Sequence, residues 1–326
     1  MSVVRVLLVK LSSLGDVVHA MPVVHDIRTA HPGALIDWVV EPGFAPLVRR
    51  VAGIGQVFEC AQRRWRKAWW TGAVRAEWRT FKASLQAHRY DAVIDLQGLT
   101  KSAVVARLAR GTRYGLANRT EGSGYEAPAR WLADQAIAIT PHIHALDRSR
   151  VMTAKALGHT VQSPPVFGLQ SHGPRCVEPT LVFVHGTSRD DKLWPEAHWV
   201  ELGRRCVSSG FSIALPHAGQ AERERAERIT CEIGPQARVW PAMSLDTLVD
   251  HMGGTHGVIG VDSGLSHIAV ALDLPHVQLY NFPTAWRTGP QASHGHRHQV
   301  SLEGSPTPDV DLVWSAWQNV HRARHS

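Results

Sequence analysis

The sequence predicts an α/β protein of two Rossmann-like domains with parallel sheets facing a central cleft. Three observations carry that expectation. Short apolar runs alternate with amphipathic helical runs along both halves, the order that builds parallel sheets through helical crossovers. The alternation fades between residues 140 and 175, where Ser163-Pro164-Pro165, Gly168 and Gly173-Pro174 gather, a composition suited to an interdomain linker. Finally, two strand-to-helix junctions in the second half carry phosphate-binding chemistry, and such loops converge at the carboxyl ends of parallel strands.

The first half opens with a strand at 4–9. Lys10 and Asp16 interrupt the apolar run that follows, so it does not read as a signal peptide. A helix at 16–30, a strand at 35–40 and a helix at 44–51 come next. The helix at 74–88 places Val74, Trp78, Phe81 and Leu85 on one face and leaves Arg75, Arg79, Lys82 and Arg89 on another. A strand at 92–96, a helix at 100–109 and a helix at 145–157 ending at Gly158 complete this half. The second half reads as strands at 181–184, 212–215, 257–261 and 276–280, with helices at 195–208, 221–233, 244–252 and 265–271, and an amphipathic segment at 310–320 closes the chain.

At 326 residues with 44% hydrophobic and 19% charged positions, the chain has ample core and is not disordered. A formal charge of +7 and a pI of about 9.6 point to an anionic partner: nucleic acid, phosphorylated lipid or a nucleotide-sugar. Cys60, Cys176, Cys206 and Cys231 are too scattered for a zinc motif and too few for a disulfide framework, which suits a reducing cytoplasm. No run reaches the roughly 18 apolar residues of a membrane span, so any membrane contact is expected to be peripheral. The histidines at 294, 296 and 298 read as a loop without the Cys or Asp pattern of a metal site.

The strongest candidate site is the run 258–269. An apolar strand leads into Asp262, Ser263, Gly264, Leu265 and then His267; the first turn of the following helix offers unpaired amides and a positive dipole end to a diphosphate. Asp262 or Ser263 serving only as a helix cap is the simpler alternative. After the strand at 181–184, Thr187 and Ser188 offer hydroxyl donors and Lys192 a cation, and Pro195 opens the next helix. A solvated loop lysine is the plainer reading of Lys192.

In the first half, Lys10-Leu11-Ser12-Ser13-Leu14-Gly15-Asp16 follows the first strand. Ser13 and Asp16 have the spacing of a capping box with Asp in place of Glu; equally, Asp16 at a cleft-facing helix start suits a general base for an acceptor hydroxyl. Lys101 falls in the first turn of a helix, where an anionic ligand would relieve its conflict with the dipole, unless it simply reaches away into solvent. Arg63-Arg64-Trp65-Arg66-Lys67-Ala68-Trp69-Trp70 interleaves cations with indoles, which fits phosphates next to sugar or apolar surface. A nucleic-acid module is the rival, but no zinc-finger spacing, RNP-type run or helix-turn-helix accompanies it. A NAD dehydrogenase is disfavoured because no G-x-G-x-x-G follows the first strand.

These residues together make the chain similar to glycosyltransferase family 9, within it to the heptosyltransferases that add the first heptose of lipopolysaccharide. The motifs that carry the resemblance are 10–16, 63–69, 90–102, 187–195 and 261–267, in the expected order, with the basic run at 63–67 favouring that branch over the one that adds the second heptose. The resemblance implies a GT-B fold, with an acceptor-binding domain at 1–165, a nucleotide-sugar domain at 176–308, and a terminal helix at 309–326 packing back towards the first. It implies inverting transfer of L-glycero-D-manno-heptose from ADP-heptose to the first Kdo of Kdo-lipid A, with no metal, no cofactor and no nucleic acid, in a cytoplasmic protein peripheral to the inner membrane. Asp16 matches the catalytic base. Thr187, Ser188, Lys192, Glu222, Met243, Asp262, Ser263, Gly264, Leu265 and His267 match donor positions, and Arg63, Arg64, Arg66, Lys67 and Lys101 fall to the acceptor. The chain departs from the family at 281–286, where Asn281-Phe282-Pro283-Thr284-Ala285-Trp286 stands in place of the usual Gly-Pro-Thr-Asp-Pro. A transferase acting on a heptosylated core and a non-catalytic basic nucleotide-binding module are the alternatives.

Overall fold

The computed structural model describes residues 3–161, 164–291, 294–295 and 297–325, which divide into two compact units, 1–170 and 171–326. Leu169 closes the first by an antiparallel bridge to Val51, while the amide of His172 opens the second by donating to Asp250 Oδ1 at 2.7 Å. The first unit runs β1 Arg5–Val9, α1 Leu14–Ala20, α2 Pro22–Ala30, β2 Leu35–Val40, α3 Ala45–Arg49, β3 Ile54–Glu59, α4 Gln62–Lys67, α5 Gly72–Gln86, β4 Arg89–Asp95, α6 Thr100–Leu108, β5 Arg110–Leu116, α7 Pro128–Trp131, β6 Gln135–Ile137 and α8 Ala145–Leu157. The second runs β7 Thr180–Val184, α9 Glu196–Ser208, β8 Ser212–Leu215, α10 Gln220–Ile233, β9 Ala237–Val239, α11 Leu245–Gly253, β10 Gly257–Val261, α12 Gly264–Ala271, β11 His276–Tyr280, α13 Ala285–Thr288, β12 Gln299–Glu303 and α14 Val310–His325.

Both sheets are wholly parallel. Their strand orders, β3-β2-β1-β4-β5-β6 and β12-β11-β10-β7-β8-β9, are the same Rossmann order written from opposite edges. In each sheet the direction of winding reverses at the central pair, β1 with β4 and β7 with β10. Loops leaving the carboxyl ends of those strands therefore flank the crevice where ligands of such sheets bind. All four candidate loops of the sequence leave those four strands.

Several elements differ from the sequence reading for identifiable reasons. The single helix expected at 16–30 is two, because Pro22 has no amide to donate and its ring would collide with the carbonyl four residues back. Strands β3, β5, β6, β9 and β12 escaped notice: all but one position in β3 are half-buried or exposed, β6 and β9 have only three residues, and β12 emerges from the stretch read as a histidine loop. There His298 hydrogen-bonds Asp273 Oδ1 at 2.9 Å, while His296 lies outside the described residues. Helix α14 packs on the sheet of the second unit. Val310, Val313, Trp317 and Val320 join the core of the second unit with Leu181, Phe183 and Trp199, and the Trp317 ring occupies the space where a side chain on Gly257 would go. Its apolar face is bound by the sheet of its own unit.

Candidate active site

In the first unit, the chain leaves β1 at Lys10, whose side chain is 2% exposed. Its Nζ lies 3.3 Å from Leu96 O and 3.5 Å from Asp16 Oδ1. Asp16 stands in the first turn of α1, where the amide and hydroxyl of Ser13 both donate to Oδ2, at 3.3 and 2.9 Å. The other carboxylate oxygen is 3.7 Å from the guanidinium of Arg148, on α8. One Asp16 oxygen therefore helps close the start of α1, as the capping reading expected, and the other faces cations. Burial works to raise its pKa, but Lys10, Arg148 and Ser13 outweigh it and hold the carboxyl below the ordinary carboxylate range. Lys10 is lowered as well: the cost of burying its charge outweighs the pull of Asp16.

Alongside, β4 ends at Asp95. This buried carboxylate accepts from the amides of Gln97 and Gly98 at 2.9 and 3.3 Å and from Ser102 Oγ at 2.9 Å. Burial nevertheless pushes it up to about 6. Gly98 takes φ +75°, a conformation that side chains resist, and Gln97 Oε1 accepts the Leu11 amide at 2.8 Å, tying this loop to the one after β1.

The structure gathers only some of the predicted acceptor cations here. Glu41, after β2, receives Arg63 Nε at 3.0 Å and has Lys101 Nζ at 3.9 Å, while Lys101 also lies 3.5 Å from Ser12 Oγ. Arg64 turns away into a two-pronged pair with Glu77 at 3.0 and 2.6 Å, on the same carboxylate that takes Trp65 Nε1. Arg66 and Lys67 point to solvent.

In the second unit, the loop after β7 and the start of α12 form one network around Asp262. Lys192 Nζ meets Asp262 Oδ2 at 2.6 Å, His267 Nε2 is 3.5 Å from Oδ1, and Thr187 Oγ1 donates to the Asp262 carbonyl at 3.1 Å. Burial would raise the Asp262 carboxyl; His267 and then Lys192 overcome it and keep the group below its ordinary range. Ser263 caps α12, and its buried Oγ has no hydrogen-bond partner among the described residues. Gly264 and Leu265 form the first turn of the helix, half-buried. Gly260 lets α12 sit this close: a Cβ there would lie 2.8 Å from Val184 Cβ and collide with Ser266 Oγ.

The remaining donor candidates are spread around the same sheet edge. Glu222 accepts the Ala218 amide at 2.7 Å, and a Cβ on Gly186 would come within 2.6 Å of its carboxylate. Ser188 is exposed, and Met243 is half-buried between β9 and α11. Sequence reasoning missed Arg148, Glu41 and Thr288, and named Asn281 only as the start of the divergent stretch, without a role. Thr288 Oγ1 lies 3.5 Å from Asp262 Oδ1, and Asn281 Nδ2 donates to the carbonyls of Asp191 and Leu193 at 2.9 and 3.0 Å. The divergent stretch after β11 thus pins the lysine-bearing loop after β7. Its departure from the family pattern was the one signal that could have directed attention there.

Chemically, the second unit offers amides, a cation and a hydroxyl to an anion, and the first offers a carboxylate flanked by cations. Residues 78–312 match the model of glycosyltransferase family 9 (heptosyltransferase). Lipopolysaccharide heptosyltransferase 1 of Escherichia coli strain K12 is 42% identical over 282 residues, covering 85% of this chain and 87% of that protein. The protein of the same name from Pseudomonas aeruginosa is 40% identical over 308 residues, 93% of this chain and 84% of its own. Among solved structures, E. coli heptosyltransferase WaaC with ADP-2-deoxy-2-fluoro heptose superposes with a TM-score of 0.81 at 36% identity, covering 99% of this chain and all of that one.

Proposed function

The chain belongs to glycosyltransferase family 9, and from that premise we propose how its two sites divide the work of heptose transfer. The protein is a glycosyltransferase with the GT-B fold that transfers heptose from a nucleotide-heptose donor in the assembly of the lipopolysaccharide inner core. The donor is ADP-heptose, its diphosphate laid on the first turn of α12 and the hydroxyls of Ser263 and Thr187. Ser263 Oγ, a buried hydroxyl with no partner among the described residues, supports this placement. Asp262 holds Lys192 beside the cradle, so that as ADP leaves, the charge growing on its phosphate meets a cation and oriented amides already in place. Glu222 and Met243 take the nucleoside end.

The acceptor is the first Kdo of Kdo-lipid A, its anionic groups met by Arg63 and Lys101 around Glu41, with Arg64, Arg66 and Lys67 contributing at longer range. Asp16 is the base. Held ionised by Lys10 and Arg148, it is a weak base towards a resting hydroxyl; it takes the proton late, when the hydroxyl oxygen has begun to bond the anomeric carbon and has become acidic. Attack on the face opposite ADP inverts that carbon. An acceptor of this kind places the enzyme at the cytoplasmic face of the inner membrane as a peripheral protein, and among the described residues no helix is long and apolar enough to cross a membrane.

The observation that carries this reading is the placement of the Asp16 carboxylate, 3.5 Å from Lys10 Nζ and 3.7 Å from the Arg148 guanidinium, at the winding reversal of its sheet. The test is an ADP-release assay run with ADP-heptose and, side by side, Kdo-lipid A and a heptosylated core. Release with Kdo-lipid A, lost in Asp16→Asn, is expected. Turnover confined to the heptosylated core would assign the second heptose instead.

A further inference from the structure

The hairpin of α4 and α5 carries a charge excess only part of which, that on α4, the acceptor site uses. Residues 62–86 hold seven cations and one carboxylate, almost the whole formal +7 of the chain. The one carboxylate, Glu77, is spent on Arg64 and Trp65. The side chains of Arg66, Lys67, Arg75, Arg79 and Lys82 are exposed and have no partner among the described residues. Arg75, Arg79 and Lys82 recur at i, i+4 and i+7 and form one stripe along α5.

Indoles lie beside that stripe. Trp65, Trp78 and Phe81 stack with ring centroids 5.2–6.0 Å apart and anchor the hairpin to the core, and Trp69 adds its edge to Trp78 at 5.8 Å. Trp78 stands three residues after Arg75 and four before Lys82, so Trp69 is carried next to the cations. Trp69 is 46% exposed and Trp70, one residue on, 73% exposed. Indoles left in water beside unpaired cations are costly as a mere surface, yet they match both layers of one partner: tryptophan favours the headgroup level of a bilayer, and lysine and arginine favour its anionic phosphates.

We propose that the face formed by Trp69, Trp70 and the Arg75–Arg79–Lys82 stripe docks the enzyme on a bilayer of anionic phospholipid. This deepens the membrane contact proposed above and assigns it to a surface separate from Arg63 and Lys101. The docking is electrostatic and interfacial: the cations supply a salt-sensitive attraction, and the two indoles wedge at headgroup depth without spanning.

The test uses the full-length protein and vesicles that contain no acceptor, of phosphatidylcholine alone or mixed with phosphatidylglycerol, read by co-sedimentation across a salt series. Wild type is expected to bind only the anionic vesicles and to lose affinity as salt rises. Neutralising three cations costs roughly fivefold each, so Arg75→Gln/Arg79→Gln/Lys82→Gln weakens binding on the order of 100-fold; Trp70→Ala weakens it at every salt concentration. Both variants are expected to turn over a deacylated, water-soluble acceptor like wild type, which also verifies that they fold. Equal binding to neutral vesicles, or vesicle affinity unmoved in both variants, would overturn the proposal, as would loss of turnover on the soluble acceptor with vesicle binding intact. Failure of wild type itself to use that acceptor would instead count against the heptose-transfer reading and leave the vesicle result to stand alone.

Discussion

Asp16 shows how one side chain can satisfy a local and a distant demand together. A cap needs only an acceptor oxygen, which asparagine also supplies, so Asp16→Asn preserves the bond from the Ser13 amide while removing the charge and the basic oxygen. If the carboxylate takes the acceptor proton, kcat falls by roughly 10²–10⁴ while the ADP dissociation constant, measured by calorimetry, stays where it was. Near-normal turnover would reduce Asp16 to a cap. Lys192 makes the complementary case in the second unit. Lys192→Ala removes a charge-assisted contact worth about 1.5–3 kcal/mol and leaves Asp262, 7% exposed, without its ammonium partner. ADP affinity should drop between roughly tenfold and a hundredfold, on the same conversion; an unchanged affinity would remove Lys192 from the donor site.

At the scale of elements, α8 is the part whose importance its own sequence conceals. It packs on both α1 and α2, and it sends Arg148 towards Asp16 and Arg150 into Asp26 of α2. The latter pair is two-pronged, at 2.7 and 2.8 Å, with both side chains almost wholly buried. Removing one member strands a charge in the core, at a cost of about 3–5 kcal/mol, whereas replacing both by apolar groups is far cheaper. Urea unfolding of Arg150→Ala should therefore show a large loss, and Asp26→Leu/Arg150→Leu should recover much of it. Equal losses in the two variants would mean that packing, not the stranded charge, sets the cost.

For the whole molecule the carboxyls with shifted pKa oppose one another with pH. Asp16 and Asp262 lie below the ordinary range, so the folded state binds fewer protons there than the unfolded one. They add stability above about pH 4 that disappears as the pH falls through and below that value. Asp95, pushed up to about 6, has the reverse sign: the folded state holds its proton between about 4 and 6, so its cost is full above that window and is relieved as the pH drops through it. His185 and His276, each lowered to about 4 by burial, act against that relief: below about 6.5 the unfolded state takes up their protons first, so they withdraw stability over the same window. Two such imidazoles outweigh the one carboxyl, and stability of the wild type is expected to decline from pH 7 towards 5 and to fall steeply below 4. Urea midpoints across that range check the sign, and Asp95→Asn should steepen the decline between about pH 6 and 4 while leaving the acid collapse in place; an unchanged slope in that variant would show that Asp95 does not carry the opposing contribution.

The sequence by itself determined the alternation of elements, both carboxyl-end loop pairs and most of the groups in them. Each of those signals is local: a strand, a capping residue or glycine and a helix start lie within about a dozen residues, and the chemistry of a helix N-terminus does not depend on the rest of the fold. The tertiary structure alone decided which distant groups complete the sites. Nothing near Asp16 in the chain announces Arg148, and nothing near Lys192 announces Asn281 or Thr288; these meet only because parallel strands and their crossovers bring far segments to one sheet edge. The same cause hid β3, β5, β6, β9 and β12, whose residues hydrogen-bond as strands only once a neighbouring strand is there to receive them. It also separated Arg63 and Lys101, drawn together by Glu41, from Arg64, which Glu77 holds elsewhere. A run of cations in sequence carries no statement of where each charge will point, because helical geometry turns successive side chains to different faces.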